Sequence, residues 1–324
     1  VSAAAPEEGQ RVVARYERLG RVTVESSPPG VSVSVAGAEC ATPCVLDRPA
    51  GSVAAIVAPA VSVLTEDTRL DFIGWKDGAA GERNVTFTGE EQRITATYRT
   101  MYRVRALCEP DGGAAVLFEP PADGGFFAAG TQVRVTAAAA NGFRFRRWTG
   151  DLELSLPEAL LNVDAPKTVV ARLDRIPFIP PAGVVNAAGL TPVDGVAAGS
   201  IIAIYGLHLA PAVVAGPASP LAQTLAGVTV EAAGRLLPLY FVSPGQINAL
   251  IPSDFAPGDS TLVVRSTGRP DAAAAFRVVR HAPGLFATVL DLVPYAVALR
   301  EDGTAVSVDA PARPGDSLTV FGTG

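Results

Sequence analysis

From Arg21 onward the chain alternates apolar and polar residues with a period of two. Val22 and Val24 are followed by the turn Ser26-Ser27-Pro28-Pro29-Gly30, and Val31, Val33 and Val35 alternate again before Ala36-Gly37. A period of two puts one set of side chains on one face of a strand, and Pro-Gly turns between such runs make hairpins. The same rhythm marks residues 53–63, 102–107, 115–118 and 131–137. Gly, Asn, Asp or Pro stands at the intervening turns, where a positive or fixed φ is wanted. Helical periodicity is weak throughout, and residues 157–161 support one helical turn at most. The expected class is all-β: tandem small β modules followed by Ig-like β-sandwich domains.

One phrase occurs twice. Phe72-Ile73-Gly74-Trp75-Lys76-Asp77-Gly78 returns 73 residues later as Phe145-Arg146-Arg147-Trp148-Thr149-Gly150-Asp151. Each copy leads into a short alternating strand, 94–98 and 168–173. Such repetition is the signature of chains built from small similar units. Ile176-Pro177-Phe178-Ile179-Pro180-Pro181 is a stiff linker. Beyond it, apolar runs at 200–206, 228–230, 237–242, 247–251 and 261–265 keep the cadence of an Ig-like sandwich. The expected partition is a lead segment 1–18, β modules 19–100 and 101–175, a linker 176–183, an Ig-like sandwich 184–281 and an incomplete second Ig-like unit 282–324. The last is too short to close a sandwich, so the expectation is that the chain runs on or that another strand completes its sheet.

Composition narrows the function classes. At 324 residues the chain has room for two to four units at about 100–150 residues each. Hydrophobic residues are 48% but aromatics only 6%, which favours thin sandwiches of Ala and Val over a large enzyme core. A net charge of −6 without an extended run of Lys or Arg argues against nucleic acid. No stretch reaches the roughly 20 apolar residues of a membrane span, so no membrane insertion is expected. Val1-Ser2-Ala3-Ala4-Ala5 fits a start left by signal-peptide removal, and the expected address is extracellular or cell surface.

Candidate chemistry is sparse. Cys40 and Cys44 flank Ala41-Thr42-Pro43 between two apolar runs, where a disulfide would staple a turn; two buried thiols or a metal site are the alternatives. Cys108 reads as a buried apolar residue or as a bond to another chain. Trp75 and Trp148, one per module, read as core residues; glycan stacking on them or on Phe126 and Phe127 is the alternative. The acidic and Gly residues after each Trp read as turns in preference to a calcium site, which needs six to eight oxygens. In Ser243-Pro244-Gly245-Gln246-Ile247-Asn248, Gln246 and Asn248 are expected to fix a turn through backbone hydrogen bonds. The two histidines, His208 and His281, have no nucleophile near them in sequence. No enzyme, cofactor or metal is expected.

Three resemblances follow from these motifs. Residues 21–52, with Ser26-Ser27-Pro28-Pro29-Gly30 and Thr42-Pro43, resemble the PEGA-type surface module of bacterial envelope proteins. The stretches around Trp75 and Trp148 are similar to the divergent internalin B-repeat family, in which the Trp is a core residue. Val184-Val185-Asn186-Ala187-Ala188, residues 198–206, Tyr240-Phe241-Val242-Ser243-Pro244-Gly245-Gln246-Ile247-Asn248, Ala282-Pro283-Gly284-Leu285-Phe286 and Pro314-Gly315-Asp316 resemble a family of paired Ig-like (TIG-like) domains at the C-terminus of large secreted bacterial proteins. These resemblances imply a secreted multi-module β protein with no established activity. The expected function is structural or adhesive, through self-association or contact with other surface proteins. In the more specific form, Arg11, Val12, Val13, Ala14, Arg15 and Tyr16 add as a strand to an open sheet of the next copy, building filaments head to tail. The alternative is a carbohydrate-binding accessory module with polysaccharide as partner.

Overall fold

A computed structural model describes residues 13, 15–79, 81–189, 195–290 and 293–324. Among the described residues the fold is all-β, with no helix. Two compact units divide the chain: one contains Val1–Leu107, Val116–Thr136 and Trp148–Val170, the other Cys108–Ala115, Ala137–Arg147 and Ala171–Gly324.

In the first unit the alternating residues form two facing sheets. The strand Leu19–Ser27 pairs antiparallel with Cys44–Pro49 and parallel with the long strand Glu91–Glu109, in register from Arg21 opposite Glu91 to Ser27 opposite Thr97. Thr68–Trp75 joins Glu91–Glu109 antiparallel, with a register shift between Phe72 and Gly74, where Gly74 takes φ +141°. The second sheet is ordered Ala38–Ala41, Ser32–Val35, Val53–Val57, Arg83–Thr86. Val22, Val24, Val33, Ile56 and Phe87 meet between the sheets and are fully buried. That burial is the main favourable term, about 1.5–3 kcal/mol per large side chain.

The Ser26 and Thr42 hydroxyls taken into this core are satisfied, as buried groups usually are. Thr42 Oγ1 donates to Val31 O at 3.0 Å and accepts from Gly30 N at 3.2 Å, while the Ser26 hydroxyl bonds Thr42 and Pro28 O. The Ser-Ser-Pro-Pro-Gly turn is thereby locked to the Thr-Pro turn. Tyr98 donates its hydroxyl to Pro59 O at 3.1 Å, and burial pushes its phenol up to about 12.

Residues 157–161 are not a helical turn. Glu158–Val163 is a strand that pairs antiparallel with Thr131–Ala139, burying Ala159, Leu161 and Val163 in alternation. The ladder overrides a local preference that short sequence could not outweigh.

In the second unit two five-stranded sheets pack into a sandwich. One is ordered Val184–Asn186, Ile201–Tyr205, Gln246–Leu250, Leu239–Val242, Val214–Ala215; the other Val196–Ala197, Ala272–Val279, Gly258–Ser266, Val228–Ala232, Arg235–Leu236. Ile202, Ile204, Val230, Leu239, Ile247 and Leu262 fill the space between them. After it, among the described residues, come two-stranded ladders: Gly284–Leu285 with Gly322–Thr323, Ala287–Leu290 with Val293–Ala296, and Ala298–Arg300 with Leu318–Val320. The buried amide of Asn186 ties them to the sandwich, donating to Ala282 O at 2.5 Å and Thr323 O at 3.3 Å, while Ile201 N donates to Thr323 Oγ1 at 2.9 Å.

Candidate functional site

The residues singled out from sequence are mostly structural in placement. Cys40 and Cys44 form a disulfide, so the thiol and metal alternatives do not apply. They do not staple a hairpin. Cys40 lies on the edge strand Ala38–Ala41 of one sheet and Cys44 on the edge strand Cys44–Pro49 of the other, so the bond closes a corner of the sandwich. Cys108 is a free, half-buried thiol.

All four candidate stacking rings are buried: Trp75, Trp148, Phe126 and Phe127. Trp75 donates its Nε1–H to Gly81 O at 2.7 Å, and Phe72 packs edge-on against both Trp75 and Tyr98. Two guanidiniums stand over the Phe126 ring, Arg69 at 4.5 Å and Arg103 at 4.9 Å from its centroid. Phe127 meets Phe118 edge-on. None of these rings offers a sugar a free face. Of the candidate assembly strand, Arg11, Val12 and Ala14 lie outside the described residues; Val13, Arg15 and Tyr16 are exposed and belong to no strand.

The polar string 243–248 is a turn built differently from expectation. Ser243 Oγ accepts from Gln246 N at 2.9 Å and donates to Gln246 O, whereas the Gln246 amide bonds the Asn248 side chain at 2.8 Å. Ser243 is therefore the turn-former, as a hydroxyl two or three residues ahead of the free amides usually is.

His208 occupies a left-handed conformation, φ +56°. Its carbonyl accepts from Arg269 Nη1 at 3.0 Å, and its ring meets Phe143 edge-on, with centroids 5.3 Å apart. Beside it Leu207 packs on Gly142, where an added Cβ would lie 3.0 Å from Leu207 Cδ1. Burial first, then the charges of Arg175 and Arg269, hold the imidazole below its ordinary range. Among the described residues no carboxylate or nucleophile bonds to it, and no cluster of three or more metal-ligating side chains exists.

Two surfaces remain that sequence reading did not assemble. One is apolar. Tyr295, Leu318 and Val320 are exposed on the two-stranded ladders and Val297, Val308 and Phe321 in the segments that flank or connect them, and several of the six line a groove of about 660 Å³. The other is cationic. Glu109, Pro110, Arg146, Arg147, Arg172 and Leu173 line an open groove of about 490 Å³ across the neighbouring strands Phe143–Gly150, Lys167–Arg175 and Glu91–Glu109. Along Phe143–Gly150 the inside-outside alternation slips, leaving Arg146 and Arg147 both exposed before Trp148 returns to the core. That break in the period, two charges in succession on a strand, was visible in the sequence as Arg146-Arg147-Trp148.

Residues 109–177 match the divergent InlB B-repeat domain family. With the all-β architecture, that match makes the chain a multi-module β protein of bacterial type. No curated protein matches the chain. Among solved structures it is similar to a Bacteroides vulgatus protein provisionally described as DNA binding, with 16% identity over 48% of this chain and 71% of that one and a TM-score of 0.23. It is similar also to the SGBP-B of a Bacteroides ovatus mixed-linkage glucan utilization locus, in complex with a heptasaccharide, with 10% identity over 100% and 89% of the two chains and a TM-score of 0.22. The Bacillus anthracis TIE protein follows with 12% identity over 94% and 60% and a TM-score of 0.18. TM-scores this low carry no argument about fold or function.

Proposed function

We propose that this chain is a non-enzymatic structural and adhesive segment of a bacterial protein exported to the cell surface. The B-repeat match and the modular all-β fold support that reading. The PEGA-like and B-repeat-like assignment of 19–100, with the PEGA-type part at 21–52, and the paired Ig-like assignment of 184–324 belong to the same proposal. The locked turns at Ser26 and Thr42 support the first, and the two five-stranded sheets support the second.

The observation that carries the reading is the exposed apolar surface of Tyr295, Val297, Val308, Leu318 and Val320. Single exposed Val or Leu residues are ordinary, but a set that lines one groove marks a contact surface. In this proposal a second copy covers it, the exposed lead segment around Val13 and Tyr16 adding to the sheet so that copies join head to tail.

Antibody labelling of intact cells tests the address; label that appears only after lysis overturns it. Light scattering and negative-stain electron microscopy test the contact, comparing the wild type with a Leu318→Asp, Val320→Asp variant. Assemblies present in the first and lost in the second are expected. A wild type that stays monomeric when concentrated, with 284–323 still protease-resistant, removes self-assembly and leaves a monomeric adhesin.

A second reading, glycan binding, is favoured by the arginine groove. It no longer rests on the aromatic rings.

A further inference from the structure

We infer that the groove over Arg146, Arg147 and Arg172 is a binding site for an acidic polysaccharide, a glycan chain bearing carboxylate or sulfate groups. The inference rests on the surface-protein reading above, which would bring the groove into contact with such chains.

Three guanidiniums face one carboxylate in the groove. Glu109 pairs with Arg172, and just outside the groove Asp174 is shared between Arg144 at 3.6 Å and Arg146 at 3.9 Å. A contact of 3.9 Å is too long for a hydrogen bond, so the donors of Arg146 remain available to a ligand. Arg147 makes no ion pair among the described residues. Other arginines are matched more closely: Arg21 forms a two-pronged pair with Asp47 at 2.8 Å, and Arg105 reaches both Glu66 and Asp67. On a chain of net charge −6, Arg146 and Arg147, adjacent and exposed, stand against the general field.

Arginine supplies what an anionic sugar needs. Its guanidinium is planar, weakly hydrated and always charged, and its forked donors match carboxylate and sulfate oxygens. Pro110 and the edge of Leu173 add apolar surface against which the C–H face of a sugar ring can lie. The opening is wide and crosses three strands, which suits a chain lying across it better than a small molecule enclosed within it. Duplex nucleic acid is the less favoured polyanion, because the rest of the acidic surface repels so dense a line of phosphates.

The test is affinity electrophoresis and calorimetry of the full chain with polygalacturonate, dextran sulfate, neutral dextran and a short DNA duplex. Binding of polygalacturonate or dextran sulfate, but not neutral dextran, is expected, and comparison of the two names the acid group. Binding should weaken steeply with added salt, as the screening length falls from about 30 Å at about 0.01 M to about 3 Å at about 1 M. An Arg146→Gln, Arg147→Gln variant should bind about tenfold or more weakly, a loss of about 1.4 kcal/mol or more. Both side chains are exposed, so folding should be unaffected, and Arg277→Gln on the sandwich serves as control. Neutral dextran bound as well as the acidic chains, DNA bound more tightly than either, an unaltered double variant, or no binding at low salt each overturns the site. None of these outcomes bears on cell-surface labelling, so the surface reading stands or falls separately.

Discussion

Cys40 and Cys44 are four positions apart, yet their disulfide joins edge strands of two different sheets. Between them Thr42 enters the core, and its hydroxyl fixes the neighbouring turn. Covalent closure at this corner keeps the two layers from parting.

Replacing both cysteines with serine should lower the stability of the first unit by about 2 kcal/mol, the loop-closure value for so short a ring. Urea unfolding of the double variant against the oxidised wild type measures it. The midpoint should fall with little change in slope.

Trp148 is wholly enclosed, so Trp148→Ala should cost about 3–5 kcal/mol. Trp75→Phe is milder: it retains most of the packing but gives up the 2.7 Å bond to Gly81 O, at about 1 kcal/mol. Acrylamide should quench neither native tryptophan efficiently, and quenching should rise on unfolding.

Asn186→Ala should release the C-terminal ladders while leaving the sandwich folded. It removes donors to the buried Ala282 O and the half-buried Thr323 O and leaves both carbonyls short of a partner, at about 1–3 kcal/mol. Limited proteolysis reads the effect. Cleavage between 284 and 323 should appear in the variant under conditions in which the wild type resists.

His208 makes the second unit sensitive to acid. Its folded value lies below the unfolded one of about 6.5, so the unfolded chain takes up the proton first as pH falls. Stability is complete above about pH 6.5 and declines as pH drops through that value toward the lower folded one. Thermal melts at about pH 7.5 and about pH 5 should differ more for the wild type than for His208→Asn, which tolerates the left-handed backbone and does not titrate.

The faces of Val22, Val24, Val33 and Val35 were legible because alternation is a local property. Which sheet each strand joins was not. The disulfide was readable from spacing, but its position depends on Ser32–Val35 taking Ala38–Ala41 as partner while Cys44–Pro49 goes to Leu19–Ser27. The strand Glu91–Glu109 was read as two pieces, 94–98 and 102–107, because strict burial alternation lapses at residues 99–103. Neighbouring strands on both sides hold it continuous there, with Phe126–Ala128 paired to Met101–Arg103 and Thr68–Trp75 reaching Tyr102. The arginine groove needed three strands brought side by side, and only one of its elements, the Arg146-Arg147 pair, carried a local signal.

The parallel register of Leu19–Ser27 with Glu91–Glu109 has a mechanical meaning. Pulled from the start of the first strand and from the far end of the second, the two slide past one another along their length. The load then falls on the whole ladder from Arg21 to Ser27 at once, where an antiparallel hairpin pulled at its open end would unzip one bond at a time. For a chain anchored at one end and gripped at the other, resistance of this kind is set by the rate of forced unfolding and not by equilibrium stability. Under such a pull the first sandwich would be loaded in shear.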